Sequence, residues 1–157
     1  MEKIIGYAFV VADLFHYGHL HFLRECKKHC DYLIVGVYTD ELTMTYKRRP
    51  IIPFEERLAI VEAIREVDKV IKVTDRSCIP ALKQLAKEGY KISYLFHGTD
   101  WNADTDPDLK ASVEYMKSIG GDLIQPEYFQ GRSTTSIIKD IIKRYQTKDL
   151  DQKVLKD

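Results

Sequence analysis

The sequence predicts one α/β domain of the Rossmann-like, doubly wound type, in which helices cover both faces of a parallel sheet. Apolar, β-branched stretches of strand length alternate with amphipathic stretches of about 10–15 residues, which is typical of βαβ units. The chain has 157 residues, enough for one domain with a core but short for two. We expect the domain to span residues 1–145, followed by a polar tail over 146–157.

The predicted strands and helices follow from this alternation. The strands are expected at 3–11, 31–40, 68–73, 91–98 and 122–128, and the helices at 19–30, 54–67, 79–90, 106–121 and 133–145. On the second helix, the helical period places Leu58, Val61 and Ile64 on one face and Arg57, Glu62 and Arg65 on another.

Charge and cysteine content exclude several classes of protein. The 24 Lys and Arg residues balance 24 Asp and Glu residues, so no overall field favours nucleic acid or an anionic membrane. No apolar run approaches the roughly 20 residues of a membrane span, and the start lacks a signal-peptide pattern. Three cysteines, with Cys26 and Cys30 one helical turn apart, favour a reducing cytoplasm. The segment "CKKHC" (26–30) matches no common zinc spacing, so no metal site made by the protein alone is expected.

The stretch "VADLFHYGH" (11–19) is the first of four polar segments at predicted strand ends, where α/β proteins bind ligands. Gly18 would let a phosphate approach the start of the following helix, whose free N–H groups favour anions. His16 and His19 could donate hydrogen bonds to phosphoryl oxygens or protonate a leaving group. The same residues also suit an ordinary helix cap, so this motif alone leaves both interpretations open.

The other three polar segments also suit phosphate. "FHGTDW" (96–101) offers Gly98 and Asp100, and "QGRSTTSIIKD" (130–140) offers a glycine, an arginine and hydroxyls at a helix start. "YKRRP" (46–50) is a basic loop that could close over a triphosphate. Each segment alone could be a turn, a cap or a solvated surface. Together, on one edge of a sheet, they predict a phosphate-binding site.

Five ordered motifs, "DLFHYGH", "YKRRPIIPFEERL", "REVDKVI", "HGTDW" and "GRSTTSIIKDI", resemble the cytidylyltransferase family of H-x-G-H nucleotidyltransferases. The resemblance covers about residues 3–145. It implies transfer of CMP from CTP to a small phosphorylated substrate, with release of pyrophosphate and without a covalent enzyme intermediate. It also implies Mg²⁺, bound mainly through the triphosphate as Mg-CTP, and a homodimer.

The resemblance implies roles for particular residues. His16 and His19 would stabilise the pentavalent α-phosphate, Lys47 would bind phosphate, and Arg65 would lie near the dimer interface and help to hold the triphosphate. The remaining nucleotide contacts would come from Val11, Ala12, Asp13, Gly18, Gly98, Asp100, Trp101, Tyr128, Gly131, Arg132, Ser133, Thr134 and Thr135.

The chain departs from the family pattern at two motifs. Val10-Val11-Ala12-Asp13 stands where G-T-F-D is common, and in the last motif Tyr128 and Arg132 stand where an arginine and an isoleucine are common. These departures look most like the cytidylyltransferases found fused to or alongside phosphoenolpyruvate mutase in phosphonate biosynthesis. The expected acceptor is therefore a small phosphonate or a phosphorylated small alcohol. Glycerol-3-phosphate or phosphoethanolamine as acceptor, an ATP-using adenylyltransferase, and a nucleotide sensor without turnover are the alternatives.

Overall fold

A computed structural model of the chain describes residues 2–147, which form five strands and six helices. The strands are β1 (Ile5–Val10), β2 (Tyr32–Tyr38), β3 (Lys69–Val73), β4 (Ile92–Phe96) and β5 (Asp122–Ile124). The helices are α1 (Tyr17–Lys27), α2 (Asp40–Met44), α3 (Phe54–Glu62), α4 (Ile79–Lys87), α5 (Pro107–Ser118) and α6 (Thr134–Gln146).

The five strands form one parallel sheet in the order β3-β2-β1-β4-β5. Both faces are covered: Leu33 and Val35 of β2 pack into one apolar cluster with residues of α1 and α3, while Ile34 packs into another with residues of α4 and α5. Burial on both faces explains why the strands read as continuous apolar runs. The predicted doubly wound α/β fold is confirmed.

Two elements end four or more residues before the end that the sequence predicts. β5 ends at Ile124 instead of reaching 128, because Pro126 has no N–H for the ladder and the Gln125 side chain donates to loop carbonyls instead. α3 ends at Glu62, so Arg65 lies in the loop before β3 and not on a helix.

Arg57 corrects the predicted arrangement of α3. It is fully buried and shares the inner face with Phe54 and Val61, whereas the sequence analysis predicts that it lies on a different face from the apolar residues. The spacing from Phe54 to Arg57 to Val61 is that of one helical stripe. An arginine on this stripe is tolerated because each of its three guanidinium nitrogens donates to a neighbouring carbonyl or carboxylate oxygen.

The sequence analysis does not predict the short helix α2, since it extends the strand to residue 40 and assigns no element to residues 41–45. β2 stops at Tyr38, and the Thr39 hydroxyl then accepts a hydrogen bond from the N–H of Leu42 at 3.2 Å. Thr39 followed by Asp40 and Glu41 is a typical helix start, with a cap and acidic residues in the first turn.

No helix within residues 2–147 is long and apolar enough to cross a bilayer. Cys26, Cys30 and Cys78 are buried free thiols. Gln146, the first residue of the predicted tail, still belongs to α6, and the tail from 148 onward lies outside the described residues.

Candidate active site

A cavity of about 680 Å³ lies at the carboxyl ends of the strands. Val10 and Val11 from the end of β1, and Phe96 and His97 from the end of β4, form part of its wall. β1 and β4 are neighbours in the sheet although they are far apart in the chain. The cavity therefore lies where open α/β sheets usually bind ligands.

His16 and His19 cap the start of α1 with their side chains. The Nδ1 atom of His16 accepts a hydrogen bond from the N–H of Gly18 at 3.0 Å, and the Nδ1 atom of His19 accepts from the N–H of His16 at 3.1 Å. The two rings lie against each other, with centroids 3.9 Å apart, and both line the cavity. The cap is therefore present, and it leaves both rings at the cavity, so the structure does not exclude the functional interpretation.

These hydrogen bonds fix the tautomer of both histidines. A nitrogen that accepts a hydrogen bond carries no proton, so the proton of each neutral ring is on Nε2. Burial lowers the pKa of His16, and the charge of Arg132 lowers it further. Burial, helped by the neighbouring His16, lowers the pKa of His19 to about 3. At neutral pH both rings are therefore uncharged, and each has one Nε2–H group free to donate.

Gly18 allows the start of α1 to contact the loop before α6. A Cβ atom at this position would lie 3.0 Å from the carbonyl oxygen of Arg132 and 2.8 Å from the His16 ring. The hydroxyl of Thr134 also donates to the carbonyl oxygen of Asp13 at 2.8 Å. The first turns of α1 and α6 are thereby held together at the cavity.

The N-terminus of α6 offers an anion site beside the histidines. The Ser133 hydroxyl accepts from the N–H of Ser136 at 3.0 Å and so closes the helix cap. The N–H groups of Thr134 and Thr135 have no partner within residues 2–147. Ser133, Thr134 and Thr135 all line the cavity, so these free donors lie beside it, at the positive end of the helix dipole.

Asp13 joins the turn after β1 to the basic loop. Its buried carboxylate accepts hydrogen bonds from the N–H groups of Ile51 and Ile52 at 3.0 and 2.9 Å, and from the Arg48 guanidinium at 3.0 Å. Burial raises the pKa of the Asp13 carboxyl, but these donors and the charge of Arg48 outweigh burial and lower the pKa. Asp13 is therefore a positioning residue that anchors the loop carrying Lys47.

The turn around Asp13 is strained. Ala12 and Leu14 have φ angles of 59° and 48°, in the left-handed region that side chains with a Cβ rarely adopt. Such strain costs about 1–2 kcal/mol per residue and persists only where surrounding contacts impose it. The hydrogen bonds of Asp13 supply such contacts here.

Arg57 is a residue of the site that the sequence analysis missed. Its guanidinium donates to the carbonyl oxygens of Val11, Tyr38 and Ile52, and to the Asp40 carboxylate at 2.6 Å. It therefore ties together the ends of β1 and β2 and the basic loop. The signal was present, since Arg57 lies on the apolar stripe of α3.

Two lysines, Lys47 and Lys139, line the cavity. Removal of water by the cavity wall lowers the pKa of the Lys47 ammonium, although Asp100 opposes this and the residue as a whole remains exposed. Lys139, which was not predicted, lies on α6 one helical turn after Thr135. Helical side chains lean towards the N-terminus, so Lys139 adds positive charge near the anion site.

The loop after β4 forms the facing wall. Gly98, Asp100 and Trp101 line the cavity together with Tyr128. The Gln125 side chain donates to the carbonyl oxygens of Gly98 and Trp101 at 3.1 and 2.8 Å, which holds this loop in place.

Four residues of the predicted site do not line the cavity. Ala12 is buried in the turn, Gly131 packs against the ring of Phe129, and Arg132 acts on His16 from outside the wall. The Arg65 side chain is 88% exposed and lies 3.4 Å from Glu66. Within one chain, therefore, the structure does not bring Arg65 to the cavity.

Among residues 2–147, no group of three or more His, Cys, Asp or Glu side chains is placed to hold a metal ion. Mg²⁺ prefers oxygen ligands and often keeps several waters while binding substrate phosphates.

Comparisons with known proteins place the chain in a family. The sequence model of the family described as "Cytidylyltransferase-like" matches residues 10–140. Glycerol-3-phosphate cytidylyltransferase of Bacillus spizizenii is 32% identical over 141 residues, covering 90% of this chain and 98% of that protein. Ethanolamine-phosphate cytidylyltransferase of Mus musculus is 34% identical over 126 residues, covering 80% of this chain. Both relatives are, by name, nucleotidyltransferases.

The relatives differ in length, and one solved structure supports the fold of the chain. The chain spans only 21% and 30% of the Arabidopsis thaliana and mouse ethanolamine-phosphate enzymes. The lipopolysaccharide core biosynthesis protein of Thermoplasma volcanium superposes with a TM-score of 0.66 at 23% identity, covering 83% of this chain and all of that one. On the match over residues 10–140, and on relatives that it spans almost completely, the chain belongs to the cytidylyltransferase-like family.

Proposed function

We propose that the chain transfers CMP from CTP to a small phosphonate or phosphorylated alcohol and releases pyrophosphate. The observation that carries this proposal is the pair of histidines with Nδ1 turned to the backbone, beside the free N-terminus of α6. Two neutral donors, two lysines and free helix N–H groups around one cavity suit a triphosphate.

The reaction is an in-line attack by an oxygen of the acceptor phosphate or phosphonate on the α-phosphorus of CTP. The new P–O bond forms as the bond to pyrophosphate breaks, and positioning with charge neutralisation does most of the work. The Nε2–H groups of His16 and His19 donate to the α-phosphate oxygens, where negative charge builds up. Because both rings are neutral, they act as hydrogen-bond donors and not as proton sources.

The pyrophosphate end of CTP lies against α6 in this proposal. The N–H groups of Thr134 and Thr135 bind the β- and γ-phosphates, and Lys47 and Lys139 offset their charge. Mg²⁺ would bind through phosphate oxygens and neutralise the leaving pyrophosphate. The wall formed by Gly98, Asp100, Trp101 and Tyr128 belongs to the nucleotide pocket by resemblance.

The choice of a phosphonate acceptor rests on the sequence departures at Val10–Asp13 and at Tyr128 and Arg132, which resemble the enzymes of phosphonate biosynthesis. The names of the two relatives support the phosphorylated alcohols glycerol-3-phosphate and phosphoethanolamine as well. The cytoplasmic location expected from the cysteines stays a prediction.

Pyrophosphate release tests this proposal directly. CTP, ATP, GTP and UTP are each offered with Mg²⁺ and one of five acceptors: 2-aminoethylphosphonate, 2-hydroxyethylphosphonate, phosphoethanolamine, phosphocholine and glycerol-3-phosphate. We expect turnover with CTP and a phosphonate. A preference for ATP would show that the reaction is adenylyl transfer and not cytidylyl transfer. Activity with glycerol-3-phosphate alone would contradict the proposed phosphonate acceptor. Binding of CTP without turnover for any acceptor would favour a sensor.

The homodimer is part of the same proposal. Arg65 is outside the cavity of its own chain, so any contact with the triphosphate would need a second copy. Light scattering measures the mass in solution. If the protein is a monomer at the assay concentration and is fully active, both the proposed homodimer and the proposed role of Arg65 are refuted.

A further inference from the structure

Helix α6 carries the proposed phosphate site, yet little burial holds it in place. Of the six helices within residues 2–147, it is the one without a buried side chain, whereas each of the others contains at least two. Towards its end, Ile141, Ile142 and Tyr145 are 50%, 52% and 62% exposed. A helix with so few buried contacts opens or shifts at low cost. The position of its N-terminus therefore depends on contacts made at that end.

An aromatic cluster outside the cavity joins this end of α6 to α1. It consists of Tyr17, His21 and Phe129, and we call it the aromatic clasp. The ring of Phe129 lies edge-on to Tyr17, with centroids 5.0 Å apart, and its centroid is 5.7 Å from that of His21. Aromatic pairs at such distances contribute more than the area that they bury. None of the three rings lines the cavity, so the clasp does not contact a ligand there.

Phe129 also covers the backbone of the segment that leads into α6. A Cβ atom at Gly131 would lie 2.6 Å from the Phe129 ring, so the ring lies directly against the glycine backbone. The carbonyl oxygen of the next residue, Arg132, approaches Gly18 on α1, where a Cβ atom would be 3.0 Å from it. The cap of α6 follows one residue later. The clasp therefore fixes the chain immediately before the free N–H groups of α6.

On α1, the clasp is attached to the turn that carries the two histidines of the site. Tyr17 follows His16 directly, and His21 lies two residues after His19. His16 and His19 line the cavity, whereas the clasp residues do not and Tyr17 is 53% exposed. The first turns of α1 thus present two rings to the cavity and two others to Phe129. The clasp couples the position of the histidine donors to that of the free N–H groups of α6.

We propose that the aromatic clasp is a positioning device that holds the N-terminus of α6 where the β- and γ-phosphates of the nucleotide bind. This inference rests on the proposed function, which assigns those phosphates to α6. Without the clasp, the N–H groups of α6 occupy the binding position for only a fraction of the time, and the apparent affinity falls by that fraction. The loss concerns ligands that reach α6, which are the triphosphate and pyrophosphate. A nucleoside monophosphate does not reach α6 and keeps its affinity.

The test compares the binding of CTP and of CMP, each with Mg²⁺ and without acceptor, by isothermal titration calorimetry. The two ligands differ only in the β- and γ-phosphates, so the ratio of their dissociation constants isolates the contact with α6. The variants are Phe129→Ala, which removes the central ring, Tyr17→Ala, which removes its edge-on partner, and Tyr17→Phe, which keeps that ring. Tyr90→Ala is the matched control, because Tyr90 is half-buried like Phe129, stacks on Tyr32 at 6.1 Å and lies outside the cavity.

We expect Phe129→Ala to raise the dissociation constant of CTP about tenfold and to leave that of CMP unchanged, since each aromatic pair contributes roughly a factor of two to ten. Tyr17→Ala should raise the constant for CTP about threefold, and Tyr17→Phe should bind as wild type does. Adding Tyr17→Ala to Phe129→Ala should weaken CTP binding no further, because the rings act as one unit. Tyr90→Ala should keep the wild-type ratio of the two constants, even if its melting temperature falls.

Two results would overturn the inference and leave the proposed function intact. One is a Phe129→Ala variant that binds CTP as tightly as wild type. The other is an equal loss of affinity for CTP and CMP, which indicates a general loss of structure. If Phe129→Ala does not fold, Tyr17→Ala decides by the same two criteria, since the Tyr17 side chain is half exposed. Failure of the proposed function looks different, because wild type then releases no pyrophosphate from CTP with any acceptor.

Discussion

Replacing His16 by asparagine separates the two uses of its imidazole. The Oδ1 atom of asparagine stands where Nδ1 stands, so it can accept the 3.0 Å hydrogen bond from the N–H of Gly18 and keep the cap of α1. The side chain ends short of Nε2, so the donor to the α-phosphate is lost. The free energy of unfolding of His16→Asn should therefore differ from that of wild type by less than about 0.5 kcal/mol.

The effect on turnover should be far larger. Loss of one well-placed donor to a developing charge costs about 3–4 kcal/mol, or roughly 10²–10³ in kcat. His16→Ala removes the donor and the cap together, so it should lose the same activity and also about 1 kcal/mol of stability.

Both quantities are measurable on the same protein samples. Pyrophosphate release with saturating CTP and acceptor gives kcat, and urea unfolding gives the free energy of unfolding. If His16→Asn turns over within about threefold of wild type, the Nε2–H group is not a transition-state donor. If the variant instead unfolds as easily as His16→Ala, the imidazole acts through the fold alone.

Three further predictions concern pH, the buried arginine and the added lysine. Because burial lowers the pKa of His19 to about 3, the unfolded chain binds a proton below pH 6.5 that the folded chain does not. The free energy of unfolding should therefore decrease as the pH is lowered, by about 3 kcal/mol from this residue between pH 7.5 and 4.5. His19→Asn should remove this part of the slope in urea unfolding, and an unchanged slope would refute it. Arg57→Met should cost about 3–5 kcal/mol of unfolding free energy by leaving buried carbonyls and a carboxylate unpaired, and a cost under about 1 kcal/mol would contradict the role assigned to Arg57. Lys139→Met should raise the KM for CTP about fivefold at low salt and less at high salt, with the KM for the acceptor unchanged. Lys143→Met, one turn further along α6 and outside the cavity, is its control and should match wild type, whereas equal effects of the two lysines would refute a specific contact.

The histidine motif shows how far local sequence information reaches. The hydrogen bonds from Gly18 to His16 and from His16 to His19 span two and three residues. Neighbouring residues in the sequence therefore determine this helix start. What the sequence did not reveal is the protonation state of the two capping rings. That follows from burial, which keeps both imidazoles neutral.

Arg57 and Arg65 show what local sequence information cannot predict. Both are charged residues in one predicted helix, and the sequence assigned a phosphate-binding role to the exposed one and none to the buried one. The end of α3 at Glu62 and the satisfied donors of Arg57 depend on what surrounds the helix. Helical periodicity alone contains neither fact.

By itself, the sequence determined the order of the five strands and of every helix except the short α2, because apolar periodicity is a local property. It also located the polar segments at the strand ends. Since those ends meet at one edge of a parallel sheet, it also predicted a phosphate site. Only the tertiary structure decided which charges meet there. Asp13 reaches the N–H groups of Ile51 and Ile52, and His97 faces Asp106, through packing between distant segments. Such pairings, and the desolvation that sets each protonation state, exist only once the chain has folded.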